Sequence, residues 1–246
     1  MKEKILLIAG CSHAAGSEID GQPDSVYNRQ HSFGNQLAAK LNRRAINIAS
    51  TGASNQAISR TILEWFDDVY DENSMDVLVL VAWTESCRID FPMYRPTRHE
   101  DWNPACEYVS QSARDYIRVN MAYKGTYEEE KYKISTCQTF MAFSPEFFEI
   151  LTANLILQTQ YFLKSKSVDF IMCSTMHLFS NYPHLNFYTN QIDQSRYFNL
   201  LNNDESFYWK YRNAGYENAN AKYWHHDEEP HRLYADELYK FYSLKL

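Results

Sequence analysis

The sequence predicts an α/β fold in three layers, with a parallel sheet between two layers of helices. Three observations predict it. Short, unbroken apolar runs are typical of strands buried on both faces of a sheet. Stretches with a helical period lie between those runs. The runs and the periodic stretches alternate along the chain, as successive strand–helix units do.

The strands are justified by their apolar and β-branched content. Residues 5–9 form an apolar run that ends at Gly10, and residues 76–83 read Asp-Val-Leu-Val-Leu-Val-Ala-Trp, the strongest strand pattern. Two shorter runs complete the set, at 45–49 and 168–173. Residues 17–30 are polar and rich in turn residues, which predicts a loop.

The helices are justified by periodicity and by their end signals. Helices are predicted at 33–41, 53–70, 108–122, 145–164 and 227–242. The fourth has Pro145 in its first turn, and the last follows Asp227 with an acidic first turn. Two stretches without a clean period, at about 84–143 and 175–224, are interpreted as insertions in a single domain over residues 1–246.

Composition excludes several classes of protein. The formal net charge of -7 argues against a general nucleic-acid binder. No apolar run approaches the roughly 20 residues of a membrane span, so no membrane association is expected. Five cysteines without a CxxC pair indicate free thiols in a reducing compartment, and the apolar run after Met1 is short for a signal peptide. We therefore expect a cytoplasmic protein.

Small and polar residues follow the ends of the predicted strands. In a parallel sheet these ends share one edge, where ligands bind, so Ser12, Gly52 and Thr84 should lie along it. Ser12 is either a helix N-cap or a nucleophile. Asn55 either caps the second predicted helix or directs its amide to this edge. Arg88 either binds a carboxylate or phosphate, or pairs with a neighbouring carboxylate (Glu85 or Asp90).

Three histidines lie within seven residues near the C-terminus. His225 and His226 precede the last helix, where a loop can present an imidazole, and His231 in its first turn should pack or cap. A metal site is not expected, because the first two are adjacent and neither HExxH nor CxxC accompanies them. Residues 10–16 match neither GxxxxGK[ST] nor GxGxxG, so no nucleotide cofactor is expected.

Four short blocks, taken in order, resemble the SGNH (GDSL-type) hydrolase family. Gly10-Cys11-Ser12 stands where the family has Gly-Asp-Ser, and "NIASTGAS" supplies an oxyanion glycine in Gly52. "AWTE" stands in place of Gly-x-Asn-Asp. "YWHHDEEPHRLYADEL" resembles the closing Asp-x-x-His block, with His225 in the histidine register. The block "AWTESCR" also resembles divergent family members from bacteriophage genomes.

The resemblance implies a flavodoxin-like sheet and a serine esterase, with an O-acetylated carbohydrate as one candidate substrate. Ser12 would attack the ester carbonyl and His225 would take its proton, while Gly52, Asn55 and Thr84 would supply oxyanion donors. Arg88 would contact the substrate. Cys11 and Lys222 replace the family's acids, so the acid of the triad is open; His226 and Asp227 are alternative base and acid.

Two other hypotheses remain. One is an SGNH-type fold that has lost catalysis and serves as a binding or assembly protein. The other makes Cys11 the nucleophile. The aromatic stretches at 181–188 and 206–224 would line a sugar pocket, form a partner interface or pack within the protein.

Overall fold

A computed structural model describes residues 2–92, 116–120, 145–180, 183–216 and 225–244. Its main sheet has five parallel strands in the order β2-β1-β3-β6-β7. These strands are β1 (Glu3–Gly10), β2 (Arg44–Asn47), β3 (Met75–Trp83), β6 (Asp169–Ser174) and β7 (Tyr197–Phe198). A second sheet pairs β4 (Arg88–Pro92) with β5 (Tyr116–Asn120), antiparallel. Counting only the strands of the main sheet, the order is 2-1-3-4-5, the flavodoxin-like order.

Helices cover both faces of the main sheet. In chain order they are α1 (Ser12–Ala15), α2 (Val26–His31), α3 (Phe33–Lys40), α4 (Asn55–Asp68), α5 (Pro145–Ser165), α6 (Asn186–Thr189), α7 (Phe207–Asn213) and α8 (Glu228–Ser243). One core cluster joins the sheet to α4 and α5, and the other joins it to α1, α3, α7 and α8. The predicted three-layer α/β fold is confirmed.

Strand β1 shows how the sequence builds both layers at once. Successive side chains point to opposite faces, so Ile5 and Leu7 enter the α4–α5 layer while Leu6 and Ile8 enter the other. All four side chains are fully buried. An apolar residue at every position is therefore required, which is why the strand appears in the sequence as a continuous run.

Two predicted elements differ from the structure. Part of the predicted loop at 17–30 is helix α2, whose N-cap Ser25 accepts a hydrogen bond from the backbone N–H of Asn28. Residues 116–120 of the predicted helix at 108–122 form strand β5, because they pair with β4; the rest of that prediction lies outside the described residues. The second predicted insertion contributes β7, which extends the main sheet.

No helix among the described residues has both the length and the apolar character needed to cross a membrane.

Candidate active site

Ser12 lies where the chain leaves the central part of the sheet. It is the first residue of α1, directly after β1 and the N-cap residue Cys11, whose side chain makes no capping bond. Gly10 permits this close turn, since a Cβ there would lie 2.5 Å from the Cβ of Ala14. Ser12 is 5% exposed. The structure therefore does not make Ser12 the helix cap.

The side chain of Cys11 belongs to the interior. Its Sγ lies 3.3 Å from Oγ1 of Thr175, and that hydroxyl donates to the carbonyl of Trp83 at 2.9 Å. The thiol is therefore the donor to Thr175. Cys11 packs in the α4–α5 core cluster, whereas Ala14 and Ala15 of α1 pack in the other. The sulfur is thus enclosed and hydrogen-bonded.

The chain folds back after α1 to bury a carboxylate. Gly16 ends the helix in a left-handed conformation (φ 76°), and Glu18 also has a positive φ of 65°. The turn at Glu18 is closed on both sides, since its N–H donates to the carbonyl of Gln22 and its carbonyl accepts from Gly21. Such a backbone costs on the order of 1 kcal/mol or more and persists only where the surroundings hold it.

Glu18 and His225 form a buried pair. Oε2 of Glu18 lies 2.6 Å from Nδ1 of His225, and the side chains are only 3% and 10% exposed. A carboxylate only accepts, so Nδ1 carries the hydrogen and the neutral ring keeps Nε2 as its acceptor. Burial lowers the pKa of His225 below its ordinary value, although Glu18 acts in the opposite direction.

Sequence reasoning missed Glu18. It lies in a polar loop with no periodic signal, and its partner is 207 residues away. The sequence offered one hint: Lys222 occupies the position before His225 where the resemblance implies an acid, so the acid had to come from elsewhere.

His13 brings a second imidazole to the same place. Its ring centroid lies 4.9 Å from that of His225 and 5.6 Å from that of Tyr208. Burial, and next the charge of His225, hold the pKa of His13 well below its ordinary value. The contact shows that His225 lies against the helix that Ser12 begins. Within the described ranges, no hydrogen bond joins the hydroxyl of Ser12 to an imidazole.

The loop of Gly52 lies beside β1 and the Glu18 turn. The N–H of Ser50 donates to the carbonyl of Gly10 at 3.0 Å, and Oγ of Ser17 lies 3.1 Å from Oγ1 of Thr51. Gly52 has a φ of 72°, which glycine adopts without steric cost.

Asn55 and Thr84 are joined by two hydrogen bonds. The Asn55 amide accepts from the N–H of Thr84 at 2.9 Å and donates to its carbonyl at 3.0 Å. It also donates to the hydroxyl of Thr152 at 3.3 Å. Both amide hydrogens are thus engaged, so Asn55 offers none to an oxyanion here. Ser54, rather than Asn55, is the N-cap of α4. The Thr84 hydroxyl is buried and has no partner in the described part of the chain.

Arg88 pairs with a neighbour and also faces the site. Its Nε donates to Glu85 at 2.5 Å, whereas Asp90 pairs with Arg60. The charge of Arg88 is among the causes, after burial, that lower the pKa of both His13 and His225. Arg88 therefore supplies a positive charge close to the paired imidazole.

The other two C-terminal histidines have structural contacts. His226 is buried against aromatic rings and its Nε2 lies 3.0 Å from the carbonyl of Tyr208. His231 accepts the N–H of Phe33 through Nδ1 at 3.1 Å. Asp227 is the N-cap residue of α8, and its Oδ1 is buried without a hydrogen-bond partner among the residues described. Of the three histidines, His225 is the one that reaches α1.

The described residues contain no group of three or more histidine, cysteine, aspartate or glutamate side chains placed to hold a metal ion.

The sheet and its two helical layers make the chain an α/β protein. A model described as "Family of unknown function (DUF6071)" matches residues 18–242, and the chain belongs to that family. The matched range includes Glu18 and His225 and begins after Ser12. No curated protein matches the sequence.

Several solved structures are similar in fold. A carbohydrate esterase whose active site has divergent catalytic and non-catalytic binding functions is 10% identical, with a TM-score of 0.46. An acetyl xylan esterase from the rumen bacterium Butyrivibrio proteoclasticus is 12% identical, with a TM-score of 0.44. The matches cover 99% and 100% of this chain but only 66% and 65% of those proteins.

A protein from Desulfitobacterium hafniense, assigned to the lipolytic G-D-S-L family, is 11% identical with a TM-score of 0.39. That match covers 97% of this chain and 99% of the other.

Proposed function

We propose that the chain is an SGNH-type serine hydrolase that cleaves carboxylic esters, with Ser12 as nucleophile and His225 as general base. One observation carries the proposal. His225 is buried against α1, its Nδ1 is occupied by Glu18, and its ring contacts the residue that follows Ser12. A base held at one nitrogen and kept neutral by burial suits proton abstraction near neutral pH.

The reaction is acyl transfer. The Ser12 oxygen forms a bond to the ester carbonyl carbon while Nε2 of His225 takes the hydroxyl proton. The proton then passes to the departing alcohol as the carbonyl–oxygen ester bond breaks, leaving an acyl-enzyme. Water, deprotonated by the same imidazole, releases the acid and restores Ser12.

Backbone N–H groups are the proposed oxyanion donors. Ser12 opens a helix, where N–H groups lack intrahelical partners, and Gly52 lies in the adjoining loop. The buried Thr84 hydroxyl remains a candidate, whereas Asn55 would first have to break its contacts with Thr84 and Thr152. Arg88 is proposed to contact the substrate near the imidazole.

The finer assignments extend this proposal. An O-acetylated carbohydrate is the proposed substrate, since the Tyr208 ring of α7 lies against His13 and Trp209 packs against Tyr208. The cytoplasm is the proposed location, and the resemblance to bacteriophage members stays a prediction. Residues 181–182 and 217–224 of the predicted aromatic stretches lie outside the described residues.

A second function, binding without catalysis, is favoured by one observation. The Ser12 hydroxyl makes no hydrogen bond to an imidazole among the described residues, although such bonds often form only with substrate.

A fluorophosphonate probe and p-nitrophenyl acetate distinguish these functions. We expect wild-type protein to take up the probe and hydrolyse the ester, and Ser12→Ala to lose both. Cys11→Ala is the matched control, since it changes the adjacent buried side chain and should keep both. If the probe labels a known serine hydrolase but not the wild-type protein, the result would favour a binding function without catalysis. If Cys11→Ala loses labelling and hydrolysis while Ser12→Ala keeps both, Cys11 would be the nucleophile.

A further inference from the structure

We propose that Glu18 is the acid of the site: its carboxylate orients His225 and stabilises the imidazolium that forms during the reaction. This inference rests on the proposed function, which assigns only the nucleophile and the base. The acid would then come from the loop after the nucleophile's own helix, and not from the segment before the last helix, where the resemblance implies it.

The geometry of the pair carries the inference. Oε2 of Glu18 lies 2.6 Å from Nδ1 of His225, a separation as short as that of the tightest charge-assisted N–H···O hydrogen bonds. This contact fixes the hydrogen on Nδ1 and leaves Nε2 to accept the proton of Ser12. An orienting carboxylate acts in this way without itself taking the proton.

The backbone around Glu18 is built to hold the carboxylate in place. The positive φ of Glu18 lies inside a turn closed by hydrogen bonds with Gln22 and Gly21. Asn28 of α2 reinforces this turn by donating to the carbonyl of Gln22 and accepting the N–H of Asp20. Residues held in such sparsely populated backbone conformations cluster at active sites.

The other carboxylates near His225 in sequence have different neighbours. Glu228 accepts the Tyr27 hydroxyl at 2.9 Å and lies within 3.9 Å of His31. The charge of Asp227 raises the pKa of His226 and is not among the causes for His225. Glu18 is therefore the described carboxylate that contacts this imidazole.

The charges that face His225 come from three elements. Glu18 raises its pKa from the turn after α1, and Arg88 of β4 lowers it. His13 of α1 is held neutral by burial. Removing the charge of Glu18 removes the interaction that favours the imidazolium, while burial and the charge of Arg88 still disfavour it, so the imidazolium should become less stable.

The test compares Glu18→Gln and Glu18→Asp with Asp227→Asn and Glu228→Gln in the full chain. With p-nitrophenyl acetate, we expect Glu18→Gln to lower kcat by about 10²- to 10⁴-fold with little change in KM. Glu18→Asp should recover part of that loss, and the two controls should stay within about two-fold of wild type. Circular dichroism establishes that each variant is folded.

A second readout does not depend on activity. In an NMR titration, the pKa of His225 should fall in Glu18→Gln and stay unchanged in Asp227→Asn and Glu228→Gln. Folded Glu18→Gln with an unchanged His225 pKa, or with wild-type kcat, overturns the role of Glu18. A lowered pKa in a protein whose wild type neither hydrolyses the ester nor labels supports the pairing and removes the proposed function instead.

Discussion

The segments 10–18 and 225–231 contribute very differently to the same site. The first supplies the nucleophile candidate, a buried imidazole and the carboxylate Glu18 within nine residues of chain. The second contains three histidines, but only His225 reaches α1. Its neighbours His226 and His231 are bonded to the backbone of α7 and α3.

The difference shows that clustering in sequence is a poor guide to clustering in space. Adjacent residues before a helix point in different directions, so His225 and His226 face different partners. The backbone reversals at Gly16 and Glu18 instead return a residue six positions after Ser12 to the vicinity of its helix. Segment 10–18 therefore contributes more candidate residues to the site than the conspicuous histidine cluster.

Replacing the two adjacent histidines tests this contrast with the largest expected effect. His225→Gln should lower kcat/KM for p-nitrophenyl acetate by about 10³-fold or more, because the proposed base is lost. His226→Gln should leave kcat/KM within a few-fold, since its Nε2 lies against the Tyr208 carbonyl and its ring packs among aromatic side chains. Equal losses in two folded variants would contradict the separation of their roles.

The reversal after α1 should depend on glycine at position 16. A Cβ there would lie 2.3 Å from the carbonyl oxygen of Asn28, at a φ of 76°. Gly16→Ala should therefore lower the free energy of unfolding by about 2–4 kcal/mol. The control is Gly215→Ala, which shares a positive φ but meets nothing within 4 Å. Its cost should be only about 1 kcal/mol. Urea denaturation of both variants measures the difference.

Histidines from both segments should make the protein sensitive to acid. Burial holds the pKa values of His13 and His231 well below the unfolded value of about 6.5. The unfolded chain binds these protons first, so their contribution is fully present above pH 6.5 and is lost as the pH falls towards the folded values. The loss should approach about 2–3 kcal/mol per pH unit.

Urea denaturation between pH 7.5 and 4.5 measures that slope. His231→Phe, which keeps the buried ring, should reduce it by up to about half. A flat stability profile in wild-type protein would rule out two buried neutral histidines.

The burial of His225 should also shift the pH dependence of hydrolysis, and this is the smallest of the expected effects. The pKa of His225 is lowered by burial more than Glu18 raises it. A neutral base persists to lower pH, so kcat/KM should be half-maximal below about pH 6.5. The rate profile with p-nitrophenyl acetate measures the midpoint, and a midpoint above pH 7 would contradict a base shielded from solvent.

Much of the fold could be predicted because its signals are local. Strands buried on both faces must be apolar at every position, so β1 and β3 were visible as runs. Residues 116–120 were misjudged as helical because their strand character depends on pairing with β4, which no local pattern shows.

The candidate site was predictable only in part. Ser12, Gly52 and His225 follow strand ends or precede a helix, positions that the α/β layout brings together. Asn55 is predicted to donate to the oxyanion, but its side-chain amide instead bonds to the backbone of Thr84 and so joins α4 to the end of β3. The place of Glu18 in the site depends on the positive φ values of Gly16 and Glu18 and on a contact across 207 residues. Neither feature is encoded in a short motif.

The span between Glu18 and His225 also bears on the order of assembly. Ser12 and Glu18 are only six residues apart and are linked by short-range turns, which form early and at little loop-closure cost. The proposed base, His225, lies on the segment that leads into α8, 207 residues after Glu18 along the chain. During refolding, the native sheet signal should therefore recover before the proposed esterase activity does, because the candidate site is complete only when the last helix docks.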